Sequence, residues 1–200
     1  MAAYGGSPLV VRIGIAGAAN IAKKNARAIA RSERCALVAV ASRSRAKGAA
    51  WVGALGRDGA GVRVVEGYDA LLADADIDAV YVPLPTSLHV KFVVKCAAAK
   101  KHVLVEKPVG RSAAEVRTMV DACREHGVAL LDGTMFIHHD RFKQMDRLFR
   151  DDLFWRPTRV SAAFTFAASD DARSPASVLL LSKVEVTILG IFFPQMNDRE

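Results

Sequence analysis

VVRIGIAGAANIAKKNARAIARS, residues 10–32, decides the fold. Its first part is apolar apart from one arginine and predicts a buried strand ending near Ala16. Its last part predicts a helix, because Ile21, Ala22, Ala26, Ile29 and Ala30 recur at helical spacing. Between them lies Gly17-Ala18-Ala19-Asn20-Ile21-Ala22. The pattern G-x-G-x-x-G/A in a strand–turn–helix setting cradles a dinucleotide pyrophosphate on the N–H groups of the helix start. Gly17 and Ala22 match it. Ala19 stands where the second glycine normally lets the backbone approach the phosphates, and alanine is the least obstructive replacement. Two readings stay open for this turn alone: a phosphate cradle, and a tight turn that holds no ligand.

The same rhythm continues outward. CALVAVAS, VRVV, DAVYVPLP, HVLVEKP and VALLDGTM predict five more strands. RAKGAAWVGALG, YDALLADAD, VKFVVKCAAAK and SAAEVRTMVDACREHG predict the helices between them. Ser112 and Glu115 form a capping box at the start of the last of these, and Gly127 ends it. Strands apolar throughout, separated by helices, predict a doubly wound parallel Rossmann sheet covered on both faces, over residues 9–135. After Met135 the rhythm changes. HHDRFKQMDRLFRDDLF reads as an amphipathic helix, and TRVSAAFTFA alternates like a strand with one solvated face. Residues 136–167 are therefore expected to begin a second, α+β domain, left incomplete, and residues 168–200 to form a divergent tail.

The end of the second strand chooses between cofactors. An acid there would accept hydrogen bonds from the ribose 2′-hydroxyl of NAD. The sequence reads Ala41-Ser42-Arg43-Ser44-Arg45, without an acid. A serine and arginines suit a 2′-phosphate, so NADP is expected ahead of NAD. The alternative is that Arg43 and Arg45 are solvated residues at a helix start.

Composition sets the outer bounds. The chain has 200 residues, is 52% hydrophobic and carries a formal net charge of +7. Its basic residues are interleaved with acids along the whole length. No basic run carries aromatics between its charges, which argues against nucleic acid. Cys35, Cys96 and Cys123 lie too far apart for a local zinc pattern and read as reduced core thiols, and no metal site is expected. The first residues show no targeting pattern, which points to the cytoplasm.

HVLVEKPVG, residues 102–110, begins as a buried strand and ends at once in Glu106, Lys107 and Pro108. In doubly wound sheets ligands sit beyond the carboxyl ends of the strands, so the lysine is presented where a substrate would lie, the alternative being a strand that simply surfaces in an ion pair. Pro108 disfavours helix at Lys107. Taken together, IGIAGAANIA, VASRS, YDALLADADIDAVYVPLPTSLH and HVLVEKPV resemble the GFO/IDH/MocA oxidoreductase family over about residues 10–167. The likeness is strongest to its branch with dimeric dihydrodiol dehydrogenase and NADP-dependent xylose dehydrogenase. The resemblance implies a Rossmann domain, a second domain built on a large and mostly antiparallel sheet, and hydride transfer between NADP and a sugar-, polyol- or dihydrodiol-like alcohol. It puts Lys107 beside the nicotinamide as the catalytic residue. It assigns cofactor contacts to Gly17, Ala18, Ala19, Asn20, Ile21, Ser42, Arg43, Pro83, Pro85, Thr86, His89, Glu106 and Lys107. Glu106 would orient the ammonium or meet the nicotinamide end. His89 also reads as a residue that caps or packs the following helix. His138 and Arg141 fall where relatives border the substrate cleft, with a solvated helix start as the equal alternative. Their neighbour His139 does not share a helix face with His138, so a metal pair is not expected.

The last stretch departs from that pattern. VLLLSKVEVTILGIFF is apolar, but Ser182, Lys183 and Glu185 fall inside it. A charge at a membrane-helix centre costs about 2.5 to 3.5 kcal/mol, and the β-branched alternation of KVEVTI favours a strand or an irregular, poorly packed tail. No membrane partner is expected. The resemblance implies a glycine-rich segment, an aspartate and a tyrosine or histidine in the second domain, and the residues after Ala168 contain none of that pattern. A truncated chain is the expectation, with weakened NADPH binding, negligible hydride transfer and no family-type dimer.

Overall fold

A computed structural model of the chain describes residues 10–150, 159–162 and 186–189. The chain divides into two units, Met1–Met135 and Phe136–Glu200. In the first, β1 is Val11–Ala16, α1 Ala22–Ala30, β2 Cys35–Ser42, α2 Arg45–Gly53, β3 Arg63–Glu66 and α3 Tyr68–Ala73. Then follow β4 Ala79–Val82, α4 His89–Ala98, β5 His102–Val105, α5 Ala113–His126 and β6 Leu130–Asp132. The six strands form one parallel sheet in the order β3-β2-β1-β4-β5-β6.

That order puts the reversal of winding between β1 and β4, where such sheets open a crevice at their carboxyl ends. The period-2 alternation of the strands divides the core into two layers. Val80 and Val82 point to one face with Leu71, Phe92, Val93 and Met119, which α3, α4 and α5 supply. Tyr81 points to the other with Ile15, Val40, Ala22, Ala26 and Trp51, where α1 and α2 pack. Burial on both faces explains why the strands read as continuous apolar runs.

Local signals set the helix ends. The Ser112 hydroxyl accepts the Glu115 N–H at 3.2 Å, and Gly127 closes α5 at φ 68°. The expected capping box is altered: the Glu115 carboxylate takes the backbone N–H of Arg111 at 2.7 Å and pairs with its guanidinium. Of the apolar positions assigned to α1, Ala22 and Ala26 are buried, whereas Ile21 is 53% exposed because it stands in the turn before the helix. Cys96 and Cys123 lie in the core as unpaired thiols, and burial pushes the Cys96 thiol up to about 12, away from reactivity.

The amino ends of the strands are tied by charge. Asp78 accepts the Arg12 backbone N–H at 2.8 Å, its Nε at 3.0 Å and its Nη2 at 2.7 Å. Arg63 pairs with Asp74 at 2.8 Å, and Lys101 donates to the carbonyls of Asp74 and Ile77. This latch holds the turn before β4 against β1 and β3, at the end of the sheet away from the crevice.

In the second unit α6 spans Asp140–Arg150, and β7, Arg159–Ala162, pairs antiparallel with β8, Val186–Leu189. One correction follows. The helix starts at Asp140 instead of His138, because Met135–His138 forms a separate 3-10 turn. The strand expected at TRVSAAFTFA is described over Arg159–Ala162, and it pairs with a strand in the stretch whose alternation favoured one, KVEVTI. The expected poor packing of the remaining tail lies outside the described residues. No described helix is long and apolar enough to cross a membrane.

Candidate active site

A cleft of about 440 Å³ opens at the carboxyl ends of β1, β2 and β4. Its floor is the first turn, Gly17 to Ala19. Gly17 adopts φ +117°, a conformation that L side chains rarely reach, and an added Cβ would come within 3.3 Å of Leu84. The Gly17 N–H donates to Ile15 and the Ala19 N–H to Gly17, which tightens the turn before α1. No side chain caps α1, so its N-terminal end is left facing the turn without a carboxylate or hydroxyl of its own. Such an end suits an anion.

One wall comes from the end of β2 and the start of α2: Ser42, Arg43, Ser44 and Lys47. The Ser42 hydroxyl, 4% exposed, accepts the Ser44 N–H at 3.3 Å, and the Ser44 hydroxyl caps α2 by accepting the Lys47 N–H at 3.4 Å. Two serines, an arginine and a lysine thus line the same cleft as the Gly17–Ala19 turn. No acid lies among them. Gly48 allows this wall to stand close: an added Cβ would meet Val64 Cγ1 at 2.5 Å and Ser42 Cβ at 3.2 Å. The opposite wall is Pro83, Leu84 and Pro85 from the end of β4, with Tyr68 beside them.

Among the expected cofactor residues, Gly17, Ala18, Ala19, Ser42, Arg43, Pro83 and Pro85 meet in this cleft. Asn20 and Ile21 are exposed at the helix start, and Thr86 opens a 3-10 turn beyond the wall. Ser44, Lys47, Tyr68 and Leu84 were not singled out as site residues. Ser44 and Lys47 carried a signal, an S-x-x-K run at a helix start after the second strand. Tyr68 and Leu84 carried none, since each reads as an ordinary apolar position.

Of the two readings of His89, the ring adopts the packing one. Its ring is fully buried, with Nε2 2.8 Å from the Leu84 carbonyl oxygen and Nδ1 3.0 Å from that of Val109. Both ring nitrogens are thus engaged by backbone carbonyls, and the side chain does not line the cleft. It ties the loop after β4 to the loop after β5.

That second loop carries Glu106, Lys107 and Pro108. Lys107 is exposed at the end of β5, and the Lys107–Pro108 peptide is cis. Among the described residues Glu106 does not pair with the Lys107 ammonium. Its carboxylate instead accepts the Tyr81 hydroxyl at 2.6 Å and the Lys107 backbone N–H at 3.2 Å. Tyr81 in turn accepts from Asn25 Nδ2 at 2.7 Å. Burial, reinforced by the Glu106 carboxylate, pushes the Tyr81 phenol above its ordinary range, so it stays a neutral donor. A line of hydrogen bonds thus runs from α1 through β4 to the residue before Lys107.

His138 and Arg141 belong to the second unit and are exposed. The Arg141 backbone N–H donates to His139 Nδ1 at 3.1 Å, which makes His139 part of the α6 start. Among the described residues no cluster of His, Cys, Asp and Glu could hold a metal ion.

A glycine turn, an uncapped helix start and a crevice at the winding reversal define a dinucleotide-binding Rossmann unit. Residues 11–134 match the GFO/IDH/MocA family model, described as an oxidoreductase family with an NAD-binding Rossmann fold, and the chain belongs to that family. The dTDP-3,4-didehydro-2,6-dideoxy-alpha-D-glucose 3-reductase of Streptomyces violaceoruber is 38% identical over 171 residues, 84% of this chain and 48% of that protein. D-xylose 1-dehydrogenase (NADP(+)) 2 of Haloferax volcanii is 35% identical over 80% of this chain and 47% of its own length. Among solved structures, KijD10, a 3-ketoreductase from Actinomadura kijaniata in complex with NADP and TDP-benzene, superposes with a TM-score of 0.69 at 32% identity. That match covers 77% of this chain and 46% of KijD10. The chain spans about half the length of the curated relatives it matches.

Proposed function

We propose that this chain carries the cofactor-binding and proton-handling half of an NADP-dependent oxidoreductase acting on a sugar-like carbonyl or its alcohol. The observation that carries this reading is the cleft that joins the Gly17 turn to Ser42, Arg43, Ser44 and Lys47. The turn and the start of α1 would hold the pyrophosphate. The hydroxyls and cations of the second wall would hold the 2′-phosphate, where an acid would have repelled it. Similarity to KijD10, solved with NADP, and to a sugar-nucleotide 3-reductase and an NADP-dependent xylose dehydrogenase supports both the cofactor and the substrate class.

The bound cofactor would supply the hydride as NADPH and accept it as NADP+. The protein's part is positioning and proton handling. Lys107, at the strand end next to the proline wall, hydrogen-bonds the substrate oxygen, stabilises negative charge growing there and delivers its proton. Glu106 holds the Lys107 backbone through its accepted N–H, and Tyr81 and Asn25 hold Glu106. His89 keeps the loop of Lys107 in register with the proline wall.

The test is NADPH-dependent reduction of 3-keto sugars and sugar nucleotides, and NADP-dependent oxidation of pentoses and polyols, followed at the nicotinamide absorption band. Because the chain spans about half its relatives' length, cofactor binding and turnover are scored separately. Lys107→Ala should lower turnover by about a hundredfold or more while NADPH affinity stays within about threefold. Undiminished turnover in that variant would remove Lys107 from the chemistry. NADPH binding without turnover on any of these substrates would leave the chain a cofactor-binding module.

A further inference from the structure

Trp51 lies in α2 one helical turn after Lys47 and is 5% exposed, packed with Ile15, Ala22 and Ala26. Apolar packing would be served by phenylalanine or leucine. The indole adds a donor, and its N–H is aimed at one acceptor: the Ala19 carbonyl, 2.8 Å away. Ala19 is the middle of the phosphate turn and lines the cleft. The helix that carries Trp51 also carries Lys47 and is capped by Ser44, both on the second wall. A single hydrogen bond therefore connects the turn at one end of the cleft to the helix at the other. Ala19 lacks the freedom of the glycine usual at its place in the turn, and its carbonyl already takes the Ala22 N–H at 3.2 Å, so the indole bond holds the peptide from the side facing α2.

We propose that Trp51 is a positioning residue that sets the spacing between the pyrophosphate turn and the 2′-phosphate wall, so that both ends of NADP are bound at once. It touches neither end. The inference rests on the reading of the cleft as an NADP site. Its energetic content is a coupling: two anionic groups on one ligand gain from joint binding only when their subsites are held at the matching separation. Without the indole bond each subsite persists, and the gain from joining them falls.

The experiment is isothermal titration of the 200-residue chain with NADPH, NADH and adenosine 2′-monophosphate. NADH engages the turn without the 2′-phosphate, and the mononucleotide engages the wall without the pyrophosphate. Trp51→Phe should weaken NADPH about fivefold or more, with NADH and the mononucleotide each changed less than about twofold. A common proportional loss for all three ligands would reduce Trp51 to a packing residue and overturn the proposal, as would unchanged NADPH affinity. If Trp51→Phe does not fold, benzothienylalanine at position 51, which keeps the ring shape and lacks the N–H, answers the same question. Arg27→Gln, which removes the long 3.4 Å bond from α1 to the far end of α2 at Ala54, should leave the three affinities in their original ratio. Failure of the unaltered chain to bind either dinucleotide would instead sink the cofactor reading itself, and the inference with it.

Discussion

Tyr81 shows what one residue does here that packing alone would not require. It is 1% exposed in the middle of β4, yet its hydroxyl joins Asn25 to Glu106. Removing that oxygen strands a partly buried amide donor and one carboxylate oxygen. Tyr81→Phe should destabilise the fold by about 1 to 3 kcal/mol in urea unfolding, since buried groups left unpaired cost that much. The phenol is held neutral, so the loss should be the same from about pH 6 to pH 9. A loss confined to the alkaline side would mean the phenol titrates in that range. Lys107 stands out in the sequence as a candidate because a charged triplet ends an apolar strand. Tyr81 was not, because alternation along DAVYVPLP says which face it takes and nothing about a partner 25 positions later. His89 stayed between a cofactor contact and a packing residue for a similar reason: a histidine at a helix start looks alike whether its nitrogens meet a ligand or two carbonyls.

At the scale of elements, α2 is the piece that brings Lys47 and its cap Ser44 to the cleft. It stands close to β2 and β3 only because residue 48 has no side chain. Gly48→Ala would drive a methyl into Val64, whose branched side chain has little room to turn. The variant should lose about 1 to 3 kcal/mol of stability, although alanine is the better helix former, because overpacking outweighs propensity there. A gain in melting temperature would show that α2 has slack. The six strands and the helices between them were legible from period and caps. Their edges were less so: Ile21 matched the apolar period of α1 but lies in the turn, and the helix expected over all of RAKGAAWVGALG ends at Gly53. Those outcomes depend on which neighbour covers a position, which a linear pattern does not record.

At the scale of the whole molecule, the two ends of the first unit's sheet have different tasks. The carboxyl ends open the cleft, and the amino ends are locked by Arg12, Asp78, Arg63, Asp74 and Lys101. The hydrogen bonds from Arg12 hold the Asp78 carboxyl at about 2, below its ordinary 3.8, and the Asp76 backbone N–H, helped by Arg63, lowers Asp74 as well. A carboxyl depressed by folding adds stability at pH values above its unfolded pKa and loses it as the pH falls toward the folded value. Thermal stability should therefore drop between about pH 4 and pH 2, and Asp78→Asn should be less stable at pH 7 but flatter across that window. An unchanged acid limb in the variant would show that other carboxyls govern acid unfolding. The net charge of +7, which by itself suits many anionic ligands, acquires meaning only through the placement of Arg43 and Lys47 in the cleft. The central claim is that this cleft takes a dinucleotide with a 2′-phosphate. Its most direct test is the ratio of NADPH to NADH dissociation constants for the 200-residue chain, measured by titration calorimetry at one fixed ionic strength. The account predicts NADPH tighter by about tenfold or more, with the ratio collapsing in Arg43→Ala. NADH bound as tightly as NADPH, or more tightly, would contradict it.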